Sequence, residues 1–351
     1  MTDTTTAPST PSSAPQTQMG APPSVADSSR SRVLALAQHE YRAAVRSRIL
    51  LALLAILMAV TAVSVYIASV DYRSQLADYE TYKAAAQAGG ITQIAPSLLA
   101  PLSLLRGSLE YLEIIGAVIA IALGYLTVSR ERSNRTLTLI RSRPVTASEQ
   151  ATGSLLGALA VIATLVAVTA FVGIVSVGTI GNDWINAAQG FKLFLAYVAA
   201  IVYMGVFYCV GAIATANTKV AANGLMIALG IWLLVVLILP QLGDTLDADN
   251  QIPGGLFAAL GLDRAGETTI LQHFTAYEKT RIGIEELSFA KHFERFSFAM
   301  TDVPTKYRGF SLGQLLNEKR NDIGWLLLYP TILVLGLRRS FRRQPTIPQT
   351  S

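Results

Sequence analysis

Residues Ser129 to Gln150 read S-R-E-R-S-N-R-T-L-T-L-I-R-S-R-P-V-T-A-S-E-Q, five arginines set between two apolar runs able to cross a bilayer. Short basic loops are retained on the cytoplasmic side of a membrane, so the stretch reads as a cytoplasmic hinge between two membrane helices. Upstream, Ile114 to Ser129 is free of charge, and its helix is expected to begin near Leu109, with Glu110 and Glu113 at the outer boundary. Downstream, Leu155 to Val177 forms the next span.

The same gaps between charges give four further spans. Ile49 to Val70 is uncharged for 22 residues, enough at roughly 1.5 Å per residue to cover a hydrocarbon core of about 30 Å. Leu193 to Thr215 and Val220 to Gln241 follow, each with glycines or other small residues that let helices approach closely. The last, Ile323 to Leu337, has 15 uncharged residues with Pro330 near its middle, and R-R-S-F-R-R at Arg338 to Arg343 stops it on the basic side. With both termini inside, 15 of the 28 Lys and Arg and only 5 of the 23 acids fall on the cytoplasmic face. The dense clusters at Arg42 to Arg48, Arg130 to Arg143 and Arg338 to Arg343 agree on that orientation.

Composition points the same way. The chain of 351 residues is 52% hydrophobic and 15% charged, with a mean hydropathy of +0.44, too apolar for an ordinary soluble globule. Its net charge of +5 sits at the ends of apolar runs and not along one face, which argues for membrane topology and against nucleic acid. The lone Cys209 excludes a disulfide framework or a C-x-x-C site.

The predicted fold is all-α and polytopic, with six transmembrane helices, an N-terminal interfacial elbow helix and a helical extracytoplasmic segment between helices 5 and 6. Residues 1–30, rich in Thr, Ser, Pro and Ala, read as a disordered cytoplasmic tail. Residues 31–48 form the elbow: Val33, Ala37, Tyr41 and Val45 share one helical face, Arg42 and Arg46 another, as a helix lying on the inner leaflet requires. Residues 49–242 carry helices 1 to 5, with an external loop at 71–108 and the cytoplasmic link at 129–150. Residues 243–321 form an external domain or lid, helical from Thr268 to Ala299, whose Phe289, Phe293, Phe296 and Phe298 read as its core. Residues 322–337 are helix 6, and 338–351 a basic cytoplasmic tail.

Signatures of chemistry are missing from the sequence. There is no G-x-x-x-x-G-K-[ST] phosphate loop, no H-E-x-x-H and no G-x-S-x-G. His273, His292 and Glu294 have no third ligand at useful spacing and read as polar positions on an exposed helix, and Asp244, Asp247 and Asp249 lack the Gly and Glu of a calcium loop. The span interiors, so bounded, carry no Asp, Glu, Lys, Arg or His, which argues against a membrane enzyme.

The string I-A-I-A-L-G-Y-L-T-V-S-R-E-R-S-N-R-T-L-T-L-I-R-S-R-P-V-T-A-S-E-Q-A-T-G-S-L-L-G, Ile119 to Gly157, resembles the second span, cytoplasmic link and third-span entry of type 2 ABC exporter permeases. It is closest in character to their multicopper-enzyme and nitrous oxide reductase maturation branch. H-E-Y-R-A-A-V-R-S-R-I-L-L-A-L-L, from His39, is similar to that branch's elbow helix and first span. Arg135 and Ser154 depart from the pattern, which commonly has Gly and Lys there. The resemblance implies a permease subunit without an ATPase site of its own, an exporter in the cell membrane, driven by a dimer of separate ABC ATPase subunits that bind ATP and magnesium. No cofactor is expected in this chain.

In such permeases the link forms a coupling helix seated in a cleft of the ATPase. The resemblance implies contacts from Glu131, Arg132, Thr136, Leu137, Ile140 and Arg143, with Pro144 ending the helix, and an elbow built on Glu40, Tyr41, Arg42 and Arg46. It also implies a pathway lined by Gly116, Gly124, Tyr125, Asn223 and Trp232, completed by a second permease copy, identical or paralogous. Read from the residues alone, the link arginines serve equally as topology anchors at anionic headgroups, the glycines as helix-packing positions and Asn223 as an interhelical hydrogen-bonding group. The alternative function is a non-transporting membrane scaffold that presents residues 243–321 to an extracytoplasmic partner.

Overall fold

The computed structural model describes residues 25–87, 100–133, 145–182, 184–247, 256–262, 264–304, 307 and 309–343. All regular structure among them is helical. Helix α1 (Val25–Val45) turns at Arg46 and Ser47 into α2 (Arg48–Gln87). A second long run starts as a 3-10 turn at Pro101–Leu105 and continues through α3 (Arg106–Tyr111), a π-helical turn at Leu112–Gly116 and α4 (Ala117–Ser133). Then come α5 (Ala147–Thr179), α6 (Ala187–Asn217) and α7 (Ala221–Trp232), which passes through a π-helical turn at Leu233–Ile238 into α8 (Leu239–Leu246). Short helices α9 (Leu256–Ala259), α10 (Arg264–His273), α11 (Thr275–Glu286), α12 (Phe289–Met300) and α13 (Leu312–Glu318) precede α14 (Arg320–Arg343).

Several of these starts are written in the local sequence. Thr146 accepts from the Glu149 amide while the Glu149 side chain reaches back to the Thr146 amide, and Asn186 with Gln189 and Ser311 with Gln314 repeat the box at α6 and α13. Each box satisfies two donors that a helix start leaves without a partner inside the helix.

Five helical runs among the described residues are long and apolar enough to cross a membrane: Arg48–Gln87, Pro101–Arg132, Ala147–Thr179, Ala187–Asn217 and Ala221–Leu246. Helix α14 is not among them, because its apolar stretch is bounded closely by Asp322 and Arg338. It continues through Pro330 and packs against α5 and α6. The second run begins at Pro101, eight residues before the expected start, since Leu102, Leu104, Leu105 and Leu109 are all buried. Glu113 is therefore inside the run and buried, not at its boundary, so this span does carry an ionisable residue.

Helix α6 is the axis of the bundle. Its apolar window is 67% buried against 22% for α2 and 17% for the α7–α8 run, and it touches α4, α5, α7, α12 and α14. The α4–α6 crossing is tight: a Cβ on Gly124 would lie 2.3 Å from the Tyr208 carbonyl oxygen, and one on Gly211 2.5 Å from that of Ile121. Only glycine lets the two backbones meet at this distance.

Among the described residues of 243–321, α12 packs into the bundle against α6 and α14. The expected helix from Thr268 to Ala299 breaks into α10, α11 and α12 at Phe274 and at Leu287–Ser288. The four phenylalanines of α12 are buried as expected, but in the core of the bundle: Phe293 and Phe289 stack on Tyr203 of α6 at centroid distances of 4.6 and 5.5 Å. His292 is also buried, not on an exposed face, because the side of α12 that carries it lies against α14. Both π-helical turns are engaged by neighbouring side chains, the Tyr203 hydroxyl donating to the Glu113 carbonyl at 3.1 Å and the Ser288 hydroxyl to that of Val235 at 2.6 Å.

The link stems as the candidate functional site

Five helix ends converge where α4 leaves the bundle and α5 enters it. On the α4 side, Arg130, Glu131 and Arg132 occupy the last turn. Arg130 donates to Glu40 of α1 at 2.9 Å, and Thr127, one turn earlier, donates to the same carboxylate oxygen at 3.1 Å. Glu40 is 8% exposed, so these charge-assisted bonds fix α1 against α4.

Arg132 turns to α6. Its two terminal nitrogens donate to the carbonyls of Ala216 and Thr218, both at 2.7 Å. A helix C-terminus leaves carbonyls without intrahelical donors and carries partial negative charge, which a guanidinium fork satisfies on both counts. Glu131 points to the other stem and accepts from the Gln150 amide at 2.8 Å, with both side chains buried.

The α5 stem is held from α1. Glu149 accepts from Arg32 at 2.7 Å and from Ser29 at 2.6 Å, in addition to closing its capping box. Behind it α1 lies on α5 through two glycines: a Cβ on Gly153 would meet Leu36 Cβ at 2.6 Å, and one on Gly157 the Ala37 carbonyl oxygen at 2.6 Å. The packed face of α1 is Ala37, Glu40 and Ala44, rotated from the expected one, and Val45 is exposed. Tyr41 lies 3.4 Å from the Thr164 hydroxyl, while Arg42 and Arg46 are exposed. Helix α14 closes the ring, with Asn217 donating to Ser340 at 2.9 Å and Arg338 to Thr152 at 3.5 Å.

Glu131 and Arg132 thus have partners within the chain. Thr136, Leu137, Ile140, Arg143 and Pro144 lie outside the described residues. Of the expected pathway positions, Gly116 and Gly124 meet α6, the first at Met204 and the second at the tight crossing. Tyr125 and Trp232 are half-buried and Asn223 is exposed. Ser29, Arg32, Thr127, Gln150, Asn217 and Ser340 belong to the site although sequence reasoning gave them no role. The one legible signal was T-A-S-E at Thr146 to Glu149, a capping box ahead of an apolar run.

At the other end of the bundle the charges are also paired. Arg281 bonds Glu278 and Glu285 at 2.9 Å and Asp247 at 3.2 Å, and Arg295 adds to Glu285. Lys291 meets Asp244 and Glu294, each at 2.9 Å. Burial alone would lower the Lys291 ammonium, but the Glu294 and Asp244 carboxylates outweigh it and hold the group above the usual lysine range. Among the described residues no group of three or more His, Cys, Asp or Glu could hold a metal ion.

No curated protein matches the chain. A family model described as ABC-2 family transporter protein matches residues 34–344, from within α1 to the end of α14. With that match over most of its length and five membrane-length apolar helices, the chain belongs to the ABC-2 family of transporter proteins, multi-pass membrane components that work with ATP-binding subunits.

Proposed function

We propose that this chain is the permease subunit of an ABC exporter, with both termini cytoplasmic and α14 as its sixth span, driven by an ATPase dimer that docks on the link at 129–150. The observation that carries this reading is the anchoring of both link stems. Arg130 ties one stem to the elbow, Arg132 ties it to the axis helix, and Glu131 ties it to Gln150 on the other. A loop held this firmly at its base transmits force, whereas a mere topology anchor needs only charge. In this reading Leu137, Ile140, Thr136 and Arg143 form the docking surface, Pro144 ends it, and Glu131 and Arg132 position it. ATP and magnesium are bound by the partner ATPase, and a second copy of this chain completes the pathway.

The test uses the full chain in lipid nanodiscs with its co-expressed ATPase. Replacing Leu137 and Ile140 together by Asp should abolish ATPase copurification while leaving the chain folded. Undiminished copurification would refute docking on the link. If the ATPase binds and hydrolyses ATP but no cargo crosses the membrane under any condition, the scaffold reading takes its place.

A further inference from the structure

The ring of His292 is buried between acceptors. Its Nδ1 lies 2.9 Å from Asp322 Oδ1 and its Nε2 lies 3.1 Å from the Glu286 carbonyl oxygen. A carbonyl accepts only, and so does an ionised carboxylate, whereas a neutral imidazole offers one donor and one acceptor. Both contacts are satisfied only when the pair holds one extra proton, as imidazolium with carboxylate or as imidazole with carboxylic acid. A ring without that proton would face an acceptor with a lone pair in a buried site, a costly arrangement.

This pair joins α12 to the start of α14, and Trp325, one turn further along α14, stacks on the ring at 5.5 Å. Lys319 reaches the second Asp322 oxygen at 3.4 Å. Other charges around α12 are directed elsewhere. Lys291 bonds both Glu294 and Asp244, Glu113 faces those same charges, Glu110 bonds Arg106, and Lys192 bonds Asp302.

We propose that the His292–Asp322 pair is a proton-dependent latch, in which α12 docks on α14 with one proton bound and is released as rising pH removes it. While the docked pair holds the proton and the released pair does not, the opening equilibrium grows on the order of tenfold per pH unit.

The experiment follows backbone hydrogen exchange of residues 286–300 in the full chain in nanodiscs from pH 5.5 to 9, corrected for intrinsic exchange. Wild type should lose protection toward the alkaline end. D322N supplies an amide that donates to Nδ1, so Nε2 can donate to Glu286 with no extra proton, and its protection should be independent of pH. Wild-type protection that stays constant across the range overturns the latch, and so does a D322N profile that tracks wild type.

Discussion

Gln150 donates to Glu131 across 2.8 Å, joining the last turn of α4 to the first turn of α5 at the base of the link. The two residues are 19 apart in sequence, so the bond closes the link into a loop of fixed width whatever its tip does.

Removing the acceptor strands the buried Gln150 amide. E131A is therefore expected to cost about 1–3 kcal/mol, and E131Q, which keeps an acceptor oxygen, less than about 1 kcal/mol. Thermal unfolding of the purified chain reads the difference. In the assembled complex E131A should leave the ATPase bound but uncouple ATP hydrolysis from transport, and loss of ATPase binding would mean that Glu131 touches the partner directly.

The crossing of Gly124 and Gly211 predicts a non-additive pair. Either G124A or G211A forces α4 from α6, at an expected cost of about 1–3 kcal/mol. Once one methyl has separated the helices, the second adds little, so the double variant should fall well short of the sum. Additive losses in denaturation midpoints would show that the two sites relax independently.

Helix α1, the proposed elbow, offers a separable lesion. G157V drives a side chain into the Ala37 carbonyl and should lift α1 off α5, exposing residues 33–44 to hydrogen exchange while the α4–α6 core stays protected. If the elbow and core exchange together, α1 is part of a single cooperative unit.

Lys291 gives a pH prediction with a definite sign. Its folded-state ammonium titrates above the usual lysine range, so its contribution is complete at any pH below the unfolded value of about 10.4 and is lost only as pH rises through the folded one. The gap in unfolding temperature between wild type and K291M should therefore be the same at pH 7 and pH 9. A gap that narrows across that interval would mean the ammonium is not held by Glu294 and Asp244.

Much of the architecture was legible because a bilayer imposes a length and a charge rule on each span, and five apolar helices fall where the gaps between charges put them. Elements set by tertiary contact were not legible. Glu113 reads as a boundary acid until the 3-10 turn at Pro101 moves the run outward, and α12 reads as part of a lid until Tyr203 receives its phenylalanines. At the site, the arginines read as a basic loop between spans, with nothing nearby in the sequence to give their partners. The carbonyls of Ala216 and Thr218 that receive Arg132 are backbone groups 84 and 86 residues away, invisible to any local pattern.

The glycine crossing also makes α4 and α6 mechanically one body. With no side chain between the backbones at Gly124 and Gly211, there is little compressible material to absorb a push, and Arg132 fastens the same two helices again at their C-terminal ends. A load applied to the α4 stem therefore travels as through a stiff beam to Tyr203 and the aromatic stack of α12, about 22 Å along α6 at 1.5 Å per residue from Thr218. The two helices are joined most directly where they lack side chains.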